Sequence, residues 1–400
     1  MINRVPAQPA DEPTGGRASL WLKGVLPLLI LGGLMWLFLT FGPMGVFRSS
    51  FPPLDELTLE RVDFPAPGLI RIRLVNGGGD PVTVSQISVD DAYWSFSMDR
   101  DPTIGRLGSA AIDVSYPWVS GEPLKIGVIT STGLTFTREV AVAIESPRAD
   151  RRYLTTFALL GLYVGVIPVF LGLLWLPFLR GVPRHWTDFF LSLTIGLLVF
   201  LGVDALTEAI EMSGDVASAF QGIGLVTMGV VGAPLVIQGL GRLRKLSAGT
   251  EARRAAGLIA LGIGLHNLGE GLAIGSAYAI GEIALGSTLV IGFLIHNTTE
   301  GIGIVAPLAG DPVRPGTLIA LGALAGLPTI AGAMIGGLSY SPVTTVLFLA
   351  IGAGAVIQVV WVLGRLLSQR PGGGLTGPLN AAGLVAGLVL MYATGLWVAF

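Results

Sequence analysis

The hydrophobic positions of this chain change their period twice. Between 21 and 42 apolar residues run almost unbroken for about 20 residues, the length a helix needs to cross a bilayer. No small-x-small cleavage site follows, so residues 19–42 are predicted to form a retained anchor helix. The polar residues 1–18 before it, with several Pro and Gly, are predicted to be a disordered cytoplasmic tail. From 50 to 148 the pattern becomes alternation. Residues 69–75, 82–89, 125–130 and 139–144 read as strands, separated by turn signals at 76–79 and 131–133. About 100 residues holding six or seven such strands predict a small immunoglobulin-like β-sandwich. Asp90, Asp91, Asp99, Arg100 and Asp101 read as a solvated loop within it. From 150 to 400 the long apolar runs return as eight spans, near 153–178, 187–211, 218–240, 255–280, 284–309, 315–338, 342–367 and 377–399. The predicted fold class is a polytopic α-helical membrane protein, an eight-helix bundle preceded by one transmembrane helix and a β-sandwich.

Composition agrees with that pattern: 52% of residues are hydrophobic, only 12% are charged, and the mean hydropathy is +0.73. A net charge of −2 without a basic stripe gives no sign of a nucleic-acid partner. With no Cys there are no disulfides and no thiolate ligands. The charges between spans set an orientation. Arg180 and Arg184, then Arg242, Arg244, Lys245, Arg253 and Arg254, then Arg314, then Arg365 and Arg370 occupy alternate loops. The loops between those carry Glu211 and Asp215, Glu282, or little charge. The positive-inside rule puts the basic loops in the cytoplasm, with the sandwich and the C-terminus outside. Arg4, Arg17 and Lys23 put the N-terminus inside, while Arg148, Arg151 and Arg152 run against the trend. The expected location is the plasma (inner) membrane of a prokaryote. The sequence also leaves room for a homodimer and for a protein partner of the sandwich.

Two stretches inside apolar spans share one pattern, HNxxEG: His266, Asn267, Glu270, Gly271 and His296, Asn297, Glu300, Gly301. Residues four apart lie on one face of a helix, so each motif pairs an imidazole with a carboxylate. Each Asn adds a neutral oxygen donor about 100° round the helix. Two of the chain's three histidines fall in these motifs; the third, His185, reads as a surface residue. One such pair could be an ordinary polar contact between helices. Two identical ones at membrane depth call for a partner, and a divalent cation supplies one. The two helices are joined by a short loop near 279–286, so they run antiparallel and bring their motifs together about a pseudo-twofold axis. Mixed nitrogen and oxygen ligation suits Zn²⁺, Fe²⁺ or Mn²⁺, and two carboxylates neutralise the ion. The absence of thiolates favours a released substrate over a structural metal. No organic cofactor and no enzymatic activity are expected. The competing readings are an intramembrane metallohydrolase, with Glu270 or Glu300 as general base, and a metal-responsive sensor.

With these motifs residues 150–400 resemble the ZIP (Zrt/Irt-like) family of divalent metal transporters. His266, Asn267 and Glu270 are similar to the family's fourth-span HNxxxG motif. His296, Asn297 and Glu300 are similar to its fifth-span motif, with Thr299 where a Pro is usual. Asp204 and Glu208, in the stretch 204–209, resemble the family's second-span motif. The resemblance implies eight spans with both ends outside, and uptake of metal toward the cytoplasm by movement of the motif-bearing bundle against the other helices. Asp204, Glu208 and Glu211 lie toward the outer end of their span and are read as entrance or auxiliary residues. The chain departs from the family at the sixth span, where Thr329 stands in place of a metal-binding Glu. It departs again at the seventh, where Val360, Trp361 and Val362 cannot ligate. One principal site is therefore expected.

Overall fold

A computed structural model of the chain describes residues 17–41, 55–146, 148, 150–241, 250–279, 283–338, 341–370 and 374–398. It divides into two units, Met1–Leu54 and Asp55–Phe400. In the first, Arg17–Phe41 is a helix (α1) with Pro27 inside it. Its apolar stretch with described side chains is Val25–Leu37. The helix begins at Arg17, inside the stretch predicted to be disordered; the rest of that predicted tail, 1–16, lies outside the described residues.

The second unit opens with strands β1 (Leu57–Ala66), β2 (Leu69–Asn76), β3 (Val82–Val89), β4 (Ala92–Trp94), β5 (Phe96–Met98), β6 (Thr103–Ile104), β7 (Ser109–Ser115), β8 (Leu124–Thr130) and β9 (Thr135–Val140). They form one sheet in the order β1-β2-β7-β5 and another in the order β4-β3-β8-β9, with β6 on β3. All pairs are antiparallel. Alternate side chains of both sheets, among them Ile70, Ile72, Ile87, Ile112 and Ile126, meet in one buried core. The strand predicted at 139–144 is displaced: β9 ends at Val140. Its partner β8 begins at Leu124, and Pro123 before it has no N–H to extend the ladder. The single acidic loop expected from the sequence is two turns. Asp90 and Asp91 form the tight β3–β4 hairpin, with φ of 48° and 61°, and Asp99–Asp101 follow β5. Across β2 and β7, Arg71 faces Asp113 and holds it through two 2.7 Å hydrogen bonds. That bond from Arg71 keeps the Asp113 carboxyl below the usual carboxylate range.

Eight helical segments follow. They are α2 (Arg151–Gly181), α3 (Arg184–Met212), α4 (Gly222–Gly241), α5 (Glu251–Ala279), α6 (Ile283–Val305), α7 (Pro315–Leu338), α8 (Pro342–Ser368) and α9 (Pro378–Val398). Asp150 caps α2 by accepting from the Tyr153 N–H at 2.7 Å. Proline opens α7, α8 and α9, where its missing N–H costs nothing. Seven of these segments are long and apolar enough over their described residues to cross a membrane, which fits an integral membrane protein. The eighth, α6, has side chains described only from Val290 onward. Two boundaries differ from expectation. The helix α5 starts at Glu251, so Arg253 and Arg254 are helical rather than part of a basic loop; residues 242–249 lie outside the described residues. The α5–α6 connection is shorter than 279–286, because α6 already begins at Ile283; residues 280–282 lie outside the described residues.

The helices pack as two groups. In one, α5 lies along α7 and α2 lies against α6 and α7. The backbones approach so closely that a Cβ on Gly271 would sit 2.2 Å from the Thr329 carbonyl oxygen, and one on Gly172 would sit 2.1 Å from that of Thr298. In the other, α3 packs on α9 and α8, and α8 on α4. Polar ties follow the same division. Arg180 of α2 donates to the Asp311 carbonyl at 2.6 Å. Thr250 bonds the Asp311 carboxylate, and Arg253 bonds the Pro312 carbonyl at 2.8 Å, so α2, the start of α5 and the segment after α6 are fastened together. Arg370 after α8 pairs with Asp188 of α3 at 2.5 Å. The hydrogen bonds from Gln238 to Gln358, Asn267 to Ala325, Asn297 to Val164 and Asn297 to Glu270, and the His296–Glu270 contact, each join helices of one group. At the seam between the groups, mainly α5 against α8, Ile259, Ile263, Val356, Val359 and Leu363 share one apolar core.

Candidate metal centre

Asn267 and Asn297 place the two motifs before any ion is considered. Pro168 in α2 has no N–H to give the Val164 carbonyl one turn back, next to a π-helical turn at 162–166. Asn297 donates to that carbonyl at 3.0 Å and so fixes α6 on α2. Asn267 donates to the Ala325 carbonyl at 3.1 Å and fixes α5 on α7. Each amide uses its N–H groups this way. The two Oδ1 atoms accept no hydrogen bond of normal length among the described residues.

Glu270 is the centre of the site. Its Oε1 meets His266 Nε2 at 3.0 Å and His296 Nε2 at 2.5 Å, and its Oε2 accepts from Asn297 at 3.3 Å. One ligand atom from each of His266, Glu270 and His296 lies within 4.8 Å of the others, and all three residues are buried. Phe293 packs against His296 with the rings tilted by 59° and their centroids 5.1 Å apart. Gly352 of α8 approaches His266 from the other group; a Cβ there would lie 3.2 Å from Nδ1.

The expected two-fold equivalence of the motifs holds in part: Asn297 donates to Glu270 at 3.3 Å and the Asn267 side chain interacts with Glu300, but the imidazoles break it. Both imidazoles turn to Glu270. Glu300 is buried, yet neither of its oxygens has a hydrogen bond of normal length among the described residues. The helices are antiparallel, and Glu300 lies one turn beyond His296 toward the basic end of the bundle, about 6 Å along the axis. Thr329 is buried beside α2 and α5, and its hydroxyl is also unpartnered. The orphaned oxygens of Glu300, Asn267, Asn297 and Thr329 are what a buried cation would satisfy. The donor set is nitrogen and oxygen, without sulfur, as borderline and hard divalent ions prefer.

A cavity of about 40 Å³ adjoins the triad, lined by His266 and Glu270 on one side and by Asp204 and Glu208 of α3 on the other. Those two acids therefore share space with the motif residues. Glu211 does not line this cavity; it is exposed near the end of α3. Trp361 is exposed on α8 away from the site, and His185 is exposed beside Trp186. Sequence reasoning missed Val164, Ala325 and Gly352, which supply backbone or empty space. Pro168 was the only signal for the first of them. Compared with known protein families the chain matches no family model, and no curated protein matches it.

Proposed function

We propose that this protein is a transporter of divalent metal cations of the ZIP type, with Zn²⁺ as first substrate and Fe²⁺ or Mn²⁺ as alternatives. The observation that carries the reading is the buried convergence of His266, Glu270 and His296 within helices of membrane length, with the unbonded oxygens of Glu300, Asn267 and Asn297 beside it. A permanent structural ion would be better served by closed, fully satisfied ligation. Here the triad instead opens onto a cavity with two further acids.

In this reading the cation enters past Glu208 and Asp204. With the proton of each neutral imidazole shifted to Nδ1, both Nε2 lone pairs and Glu270 Oε1 turn to the ion. It then passes to Glu300 on its way to the basic end, which faces the cytoplasm by the positive-inside rule. Movement comes from the α2/α5/α6/α7 group sliding against α3/α4/α8/α9. The helix-to-helix hydrogen bonds named above each lie within one group, and apolar side chains pack between α5 and α8, which supports such a slide. The outer β-domain, whose strand order follows the immunoglobulin arrangement, and the anchor helix stand outside this machinery.

Zn²⁺ uptake into liposomes holding the intact chain, compared with Glu270→Gln, tests the reading. Flux is expected in the first and none in the second. Zinc-dependent hydrolysis of peptide or lipid without flux would move the assignment to an intramembrane hydrolase, and stoichiometric binding without flux would move it to a sensor.

A further inference from the structure

A second polar site lies at the basic end of the bundle, on the seam between the two helix groups. The end of α4, the start of α5 and the end of α8 enclose a groove of about 340 Å³. Arg254 in the first turn of α5 and Arg365 in the last turn of α8 both line it, from opposite groups. Neither has a carboxylate partner among the described residues; Arg365 lies over the Trp361 ring, 5.5 Å from its centroid. Glu251 also lines the mouth, so the charged side chains there sum to one positive charge. Deeper in, Gln358 is buried and accepts from Gln238 at 3.2 Å. It sits two turns from Arg365, about 10 Å along the axis. Leu258 and Leu366 form the apolar wall beside these amides.

An amide pair at this depth, two unpaired guanidiniums at the mouth, an apolar wall and an exposed Trp at the rim match the parts of a phospholipid. They fit a phosphate at the charged level, ester groups below it and acyl chain beneath. The structure assigns a ligand to this groove: we propose that it binds the phosphodiester headgroup of an anionic phospholipid, bridged by Arg254 and Arg365. Such a lipid is a polar tie between α5 and α8 across the seam. It would hold the two groups in one relative position. That consequence rests on the proposed function; the binding itself does not.

The test uses the purified full-length protein in detergent and a fluorescent phosphatidylglycerol, with phosphatidylcholine and inorganic phosphate as separate competitors. Phosphatidylglycerol is expected to bind saturably, to be displaced by its unlabelled form, and to resist the other two. Arg254→Gln/Arg365→Gln is expected to weaken binding at least tenfold. Arg184→Gln/Arg314→Gln, which removes the same charge at the same end but outside the groove, is expected to change it less than twofold. Gln358→Leu, a variant that leaves every charge in place, is expected to weaken binding several-fold. Equal loss in both double-Arg variants would reduce the effect to general surface charge and overturn the proposal. Displacement by inorganic phosphate at comparable concentration would overturn the lipid as ligand. Because none of these residues touches the metal centre, lost metal flux with intact lipid binding would sink the transport reading alone.

Discussion

At the residue scale the two motif carboxylates are not equivalent. Glu270 receives both imidazoles and one amide, whereas Glu300 receives nothing of normal length among the described residues. Removing a charge that three donors converge on should cost binding; removing one displaced along the path should cost transit. Glu270→Gln is therefore expected to weaken Zn²⁺ binding by at least about 100-fold, beyond the losses typical of outer-shell partners. Glu300→Gln is expected to weaken it about tenfold or less while still blocking flux. Competition against a chromophoric chelator, run beside uptake, separates the two. Equal loss of binding in both variants would restore the symmetric site. The sequence made all six motif residues legible, because four-residue spacing and the scarcity of histidine both point at them. It could not show the asymmetry. That depends on which carbonyl Pro168 leaves free, and hence on where Asn297 anchors α6.

At the scale of elements, long apolar runs made the spans readable to within a few residues. The sandwich was read less well. Strand β1 hides its alternation, because Arg61 and Asp63 are both buried in it and satisfied by each other at 2.5 Å. The short strands β4, β5 and β6 owe their existence to partners distant in sequence, which no local pattern reveals. Among the helices, glycine has a definite task where α5 crosses α7. Gly271→Leu would push a side chain into the Thr329 carbonyl and is expected to cost about 1–3 kcal/mol or more, as overpacking does. Gly292→Ala on α6, where a Cβ meets nothing within 4 Å, is expected to leave stability unchanged or slightly higher. Thermal unfolding in detergent compares them, and an unchanged midpoint for Gly271→Leu would contradict the close crossing.

At the scale of the whole molecule, the proposed transport requires one helix group to slide against the other along the α5–α8 seam. No sequence pattern marks that seam, since apolar residues such as Ile259, Ile263, Val356 and Val359 line it as they line the packed faces within each group. The chain has no Cys, so single disulfides can be introduced cleanly. A Cβ on Gly303 of α6 would lie 3.9 Å from Thr194 Cβ of α3, across the seam. One on Gly202 of α3 would lie 3.8 Å from Val356 Cβ of α8, inside one group. Both separations suit a disulfide. The most direct measurement is Zn²⁺ uptake into liposomes by the Gly303→Cys/Thr194→Cys and Gly202→Cys/Val356→Cys variants, each oxidised and then reduced. Oxidation is expected to arrest flux in the first pair and reduction to restore it, while the second pair carries metal in both states. Undiminished flux through the fully oxidised Gly303→Cys/Thr194→Cys protein would contradict the slide.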